Sequence, residues 1–336
     1  MRAKCAVFAV SVIMMSSLSA NGVTLEKVTV LNDHTQIVSY VAFSPDGKQM
    51  ATCSEDNMVF IWDTANWKHT GTLRSEDEPL AVAFAKDGKD IFVVDHDNRL
   101  SKWGIESGVR QTNDKVGCAV NDLKISPDGK TLAIPCDSKA IVIWNVAENK
   151  LEKKLEGHKN DVMSLGFSPD GLKLVSGGKD RQLIVWDTAE WKQLQVMKGH
   201  TQDILSVVFS PSGEQVASGA NDNKVSVWDV KSGERRIELA KHKQEGDRAI
   251  AWHPAGKFLI ATDRKERKDS GGEETCETIV WNPANGDIQA AAPVSCRVNY
   301  LGISPDGRTV AVGARDISIY AVKGVILPVN AVLRKE

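Results

Sequence analysis

The chain has 336 residues, 42% of them hydrophobic and 26% charged, a composition able to bury a sizeable core in one large all-β domain or two ordinary ones. Its formal charge of −2 leaves no basic excess, which excludes general nucleic-acid or membrane-surface binding as the reading of composition.

The first element is unlike the rest. Arg2 and Lys4 precede an apolar run over 5–15, and small residues follow, ending at Ser19-Ala20. A basic start, a short apolar core and a small-residue site describe a secretory signal peptide. The run is about 11 residues, short of the roughly 20 that cross a bilayer, and no later stretch is long and apolar enough to do so. Cleavage is expected after Ala20, with Ser19 nearly as suitable. The mature chain, 21–336, is then periplasmic or secreted and not inserted in a membrane. Of the six cysteines, Cys5 leaves with the signal, and an oxidising compartment allows an even subset of the other five to pair.

Next comes a strand-like segment, 25–33, which aligns with 149–157. Then a repeat begins. Four turns read Ser-Pro-Asp-Gly, at 44–47, 126–129, 168–171 and 304–307, and weaker copies stand at 85–88, 210–213 and 253–256. Their glycines fall at 47, 88, 129, 171, 213, 256 and 307. A second series stays in phase: Trp62, Trp103, Trp144, Trp186, Trp228, Trp281 and Tyr320 each close a short β-rich run. Two independent markers with one period define seven repeats, the sixth lengthened by about ten residues. Within each, apolar residues alternate at period two, as in 163–167 and 205–209, the mark of a half-buried strand. Pro fixes one turn dihedral and Gly takes a positive φ, so the chain reverses between strands. Units of about forty residues with four short strands, repeated radially, predict an all-β, seven-bladed β-propeller. The insert in the sixth repeat, about 263–277, is polar with a basic and an acidic half. It reads as a solvated loop or as a recognition loop on a rigid scaffold. A tail, 322–336, ends the chain.

The Trp62-Asp63, Trp186-Asp187 and Trp228-Asp229 pairs, with Asp33-His34, Gly157-His158 and Gly199-His200 upstream, resemble the WD40 repeat. The resemblance covers residues 23 to 322. It implies a platform that binds protein partners. The chain is expected to be non-catalytic, with no cofactor and no metal, and monomeric by itself. The resemblance also implies a buried polar tetrad in each regular blade: His34, Thr52, Asp56 and Trp62; His158, Ser176, Asp180 and Trp186; His200, Ser218, Asp222 and Trp228. In all three the His-to-Asp interval is 22 and the Asp-to-Trp interval is 6. The chemistry is sound on its own terms, because a carboxylate in a tight turn accepts from backbone N–H groups and from imidazole, which passes its other bond to the hydroxyl.

Elsewhere the pattern lapses. The second repeat keeps Asp97 and Trp103 but has Ser75 at the His position. The third has Val116 for His and Ser138 for Asp, with Asp137 one residue early. The sixth has His242 without an aligned Asp, and the seventh has Asp316 and Tyr320. The first, fourth and fifth blades are therefore expected to be the best held. In this family a segment such as 25–33 pairs with the last blade, so it would complete the seventh. The tail competes for that edge, and the sequence leaves the choice open.

Repeated His, Ser and Asp also invite a Ser-His-Asp triad, but three copies at one spacing describe a scaffold rather than one active site. No nucleophile elbow, phosphate loop, dinucleotide fingerprint or zinc spacing is present. In this family binding commonly uses the face formed by the turns ahead of the tetrad Asp. Here those positions hold Glu55, His96, Asp137, Lys179, Asn221 and Arg315, mixed in sign and implying neither an acidic nor a basic partner. The alternative is a propeller enzyme or small-ligand binder, lactonase-like, with its site at the mouth of the central channel. Cys118 and Cys136 fall at facing strand positions of the third blade, and Cys276 ends the insert within reach of Cys296. Each pair is either a disulfide or two buried thiols, while Cys53 is expected to be free.

Overall fold

A computed structural model describes residues 23–239, 249–264, 276–295 and 298–324. The signal segment, His242, most of the insert, Cys296 and the tail from 325 lie outside the described residues. Every regular element described is a β-strand, and the strands form seven separate four-stranded antiparallel sheets. Each sheet is one blade, taken from consecutive chain. The fourth runs Val162–Phe167, Lys173–Gly178, Gln182–Asp187 and Gln193–Lys198 from the inside outward. The innermost strands pack against one another in ring order, and that of the seventh blade, Tyr300–Ile303, packs against Val38–Phe43 of the first. The molecule is a seven-bladed β-propeller.

Why these residues form blades follows from burial. The two middle strands of a blade are covered on both faces by neighbouring blades, so they read as nearly continuous apolar runs. In the fourth blade Leu174, Val175, Leu183, Val185 and Trp186 are all buried. The outermost strands face solvent on one side and carry charge, as in Lys150–Glu156. At the inner hairpin of blades one, three, four and seven the Ser-Pro-Asp-Gly turn is held by its own side chains. Ser168 Oγ donates to Asp170 Oδ1 at 2.6 Å, the same oxygen accepts the Leu172 N–H at 3.0 Å, and Ser168 Oγ accepts the Lys173 N–H at 2.8 Å. Gly171 has φ +72°, a left-handed conformation that a residue with a Cβ enters only at a cost.

The ring closes as the resemblance implies. Thr24–Leu31 lies antiparallel on Ile317–Lys323, with Thr24 opposite Lys323 and Leu31 opposite Ile317, as the outermost strand of the seventh blade. Leu25 and Leu31 are buried there. Three of the four blades without a His–Asp pair have short inner strands, the second being the exception. Among the described residues these are Lys124–Ile125 in the third, Ile250–Trp252 in the sixth and Tyr300–Ile303 in the seventh, against six residues in the others.

Candidate binding face and central channel

Three blades carry the same hydrogen-bonded chain from surface turn to core. In the fourth, His158 Nδ1 donates to Asp180 at 2.9 Å, and His158 Nε2 accepts from Ser176 Oγ at 2.7 Å. Trp186 Nε1 then donates to Ser176 Oγ at 2.8 Å. The Lys159 N–H caps Asp180 Oδ2 at 2.8 Å. His34, Thr52, Asp56 and Trp62 repeat the chain at 3.0, 2.8 and 2.9 Å, and His200, Ser218, Asp222 and Trp228 at 2.9, 2.7 and 2.7 Å. Because an ionised carboxylate only accepts, each imidazole carries a proton on Nδ1, and every polar atom in the chain is matched. Burial lowers the pKa of His34 and His200 despite the facing carboxylates. Desolvation would raise Asp56 and Asp180, but the N–H groups and imidazoles bonded to them hold both below the usual carboxylate value.

The remaining blades improvise. In the second, Asp97 is exposed beside Arg99 at 3.4 Å, and Ser75 is buried. The buried carboxylate there is Asp95, which accepts the Arg99 N–H at 2.9 Å and has its pKa pushed up by burial. In the third, Val116 is buried, Ser138 is exposed, and Trp144 Nε1 donates outward to Asn149 at 3.3 Å. In the seventh, Tyr320 OH donates to the Pro293 carbonyl and Asp316 accepts from Ser295 Oγ at 2.9 Å.

The candidate face is built by main chain. The N–H groups of Glu55, His96, Asp137, Lys179 and Asn221 donate to the carbonyls of Ile37, Glu78, Ala119, Asp161 and Asp203, at 3.1, 2.8, 3.0, 2.9 and 2.8 Å. The same bond in five blades puts these five residues on one end of the ring. Arg315 occupies the corresponding turn of the seventh blade. His96, Asp137 and Arg315 are exposed, while Glu55, Lys179 and Asn221 are half-buried. Lys179 is not free: it pairs with Asp161 at 2.8 Å. Only Glu55 of the six also lines the channel.

Among the described residues, chambers lie on either side of a partition inside the ring. One of about 540 Å³ opens toward the candidate face, with Glu55, Glu78 and Asn121 in its wall. Another, of about 390 Å³, opens toward the Ser-Pro-Asp-Gly turns and is walled by Phe43, Phe84, Ile125 and Trp252. Tyr40, Lys124 and Tyr300 line both and form the partition between them. Lys124 Nζ donates to Asp122 at 3.0 Å, to Tyr300 OH at 2.8 Å and to Tyr40 OH. The two tyrosine rings stack at 3.7 Å, and the ammonium sits 4.9 and 5.1 Å from their centroids. Burial alone would lower the Lys124 pKa, but Asp122 and Tyr300 raise it above the ordinary lysine value, and burial pushes the Tyr40 phenol well up. All three ammonium donors are used, so the group is a cross-channel strut joining blades one, three and seven. Motif reading missed it. The available signal was a lysine where the other repeats have Ala42, Ala83, Gly166, Val208, Ala251 and Gly302. Nearby, burial and the Glu55 charge push the Glu78 carboxyl up. Among the described residues no three His, Cys, Asp or Glu side chains are grouped to hold a metal ion.

Cys118 and Cys136 are joined by a disulfide, their Cα atoms 5.7 Å apart, within the ordinary span for such a bond. Cys53 is free and buried, and burial raises its thiol well above the usual value. Cys276 is disulfide-bonded, and Cys296, its expected partner, lies outside the described residues.

The family described as WD domain, G-beta repeat matches residues 25–63, 149–187 and 191–229. These are the three stretches that carry the complete tetrads, each starting at the outer strand before its blade. The chain carries WD40 repeats. Its relatives include periodic tryptophan protein 2 homolog of Mus musculus, 28% identical over 149 residues, covering 38% of this chain and 16% of the relative. Nuclear distribution protein nudF of Aspergillus niger is 30% identical over 115 residues, 33% of this chain and 26% of the relative. Actin-interacting protein 1 of Drosophila melanogaster is 28% identical over 140 residues, 40% of this chain and 23% of the relative. This WD40 chain thus spans about a quarter or less of the length of these curated relatives.

Proposed function

We propose that the protein is a non-catalytic platform that binds a protein partner across the Glu55–His96–Asp137–Lys179–Asn221 end of the ring, in an exported compartment. The observation that carries this is the recurrent main-chain bond that fixes those five loop residues to rigid blades, so a broad set of polar side chains is presented with little ordering cost on binding. A relative named for interacting with actin supports a partner-binding role. Export is supported by the basic-then-apolar segment ending at Ala20 and by the Cys118–Cys136 disulfide, a bond that persists in oxidising surroundings.

One observation favours a second reading, a small-ligand binder at the channel mouth: the 540 Å³ chamber with Glu55 and Glu78 in its wall. Affinity capture of the tagged chain from its native compartment separates them. A stoichiometric protein supports the platform. A bound small molecule without a protein supports the chamber. N-terminal sequencing of the captured chain tests export, for which a mature start at 20 or 21 is expected.

A further inference from the structure

In blades one, four and five the His–Asp bond joins the loop entering the inner strand to the turn between the second and third strands, over 22 residues. The third blade has Val116 and Ser138 at those two positions, and no such bond is open to it. The disulfide joins the same two segments. Cys118 stands two residues after Val116 and Cys136 two before Ser138, so the link is moved inward symmetrically along both arms. Around it the loop is held by weaker bonds. The Val120 N–H donates to Asn98 Oδ1 at 3.1 Å, the Asn121 N–H to the Pro135 carbonyl at 3.3 Å, and the Asp137 N–H to the Ala119 carbonyl at 3.0 Å. Two more bonds reach the fourth blade: the Val162 N–H donates to the Cys136 carbonyl at 3.2 Å, and Asn121 Nδ2 to the Val162 carbonyl at 3.0 Å. Val120, Asn121, Asp122 and Lys124 of this stretch wall the chamber behind the candidate face.

We propose that Cys118–Cys136 is a redox-operated staple that replaces the missing His–Asp contact, holding the third blade's share of the chamber wall and its junction with blade four only while oxidised. This goes beyond the platform reading and does not depend on it. The step needs a dithiol reductant. Its thiolate attacks Cys118 Sγ, the half-buried sulfur, the S–S bond breaks, and the fully buried Cys136 Sγ leaves as thiolate and takes a proton. The reagent's second thiolate then attacks its own sulfur in the mixed disulfide and releases Cys118. Two electrons pass to the protein and the dithiol ends as a cyclic disulfide. Protonated Cys136 remains as a small apolar side chain, so the core of the blade keeps its packing while the loop is freed.

Hydrogen exchange followed by mass spectrometry tests this on the full chain, comparing wild type with the Cys118→Ser/Cys136→Ser variant, in which the bond at Cys276 is untouched. Exchange roughly tenfold faster or more is expected at the amides of Val120, Asn121, Asp137 and Val162, with the amides of blade five unchanged. Unchanged exchange at those four amides in the folded variant would overturn the proposal. Should the variant not fold, wild type is reduced stepwise with dithiothreitol and peptide-mapped. The staple opening together with those four amides supports the proposal, and their continued protection after it has opened overturns it.

Discussion

At Asp180 a carboxylate that resembles a catalytic group does structural work, and the cost of losing it follows from what it bonds. Its oxygens satisfy the Lys159 N–H and His158, and His158 in turn fixes the hydroxyl that Trp186 needs. Asp180→Ala leaves several buried donors unmatched and is expected to cost about 3 kcal/mol, whereas Asp97→Ala, at an exposed side chain, stays within about 0.5 kcal/mol. Urea denaturation of the two variants checks the difference, and equal costs would contradict it. The same network sets the response to acid. The folded His34 and His200 titrate below the ordinary 6.5, so an unfolded chain binds more protons there, and stability present above pH 6.5 is lost as pH falls beneath it. Asp56 and Asp180 titrate below 3.8 and add a second loss below that pH. Melting temperature against pH should therefore fall in two stages. A curve flat from pH 7 to 5 would exclude the first. The tetrads were legible in sequence because strand register turns spatial contact into fixed intervals. The Tyr40–Lys124–Tyr300 strut was not, since it crosses the channel between blades far apart in the chain and occurs once.

Thr24–Leu31 has no counterpart to its role within any one repeat. It supplies the fourth strand of a blade whose other three come from the far end of the chain, and it brings buried Leu25 and Leu31 with it. Deleting residues 23–31 exposes the edge of Ile317–Lys323 and is expected to cost about 5 kcal/mol, lowering the melting temperature by roughly 10 °C. An unchanged melting temperature would mean that something else closes the ring. Sequence alone left this edge contested, because periodicity marks strands but does not name the partner of an outermost one. The short inner strands of blades three, six and seven do not follow from a missing His–Asp pair alone, since blade two lacks the pair and keeps a six-residue inner strand. The use of Asp95 rather than Asp97 as the buried carboxylate of blade two was not legible in sequence, since Asp95 ends a strand only two residues before Asp97 and burial tells them apart.

Across the whole molecule, the seven sheets depend on one another through the centre as well as the rim. Lys124 carries the only cation of the strut, and Asp122 beside it is buried. Lys124→Met is expected to cost about 3 kcal/mol by stranding that carboxylate, and Asp122→Leu added to it should recover most of the loss. A double variant no better than the single would show that the strut is not an ion-paired unit. A ring braced in this way presents its two ends as rigid surfaces, and binding at one end is the central claim. The most direct measurement is affinity capture from the native compartment with wild type, with Glu55→Lys/Asp137→Lys on the candidate face, and with Lys48→Glu/Lys89→Glu at the opposite end. A stoichiometric protein retained by wild type and the opposite-end variant, and lost from the candidate-face variant at unchanged stability, is the result expected. Equal retention by all three, or a small molecule and no protein, would contradict it.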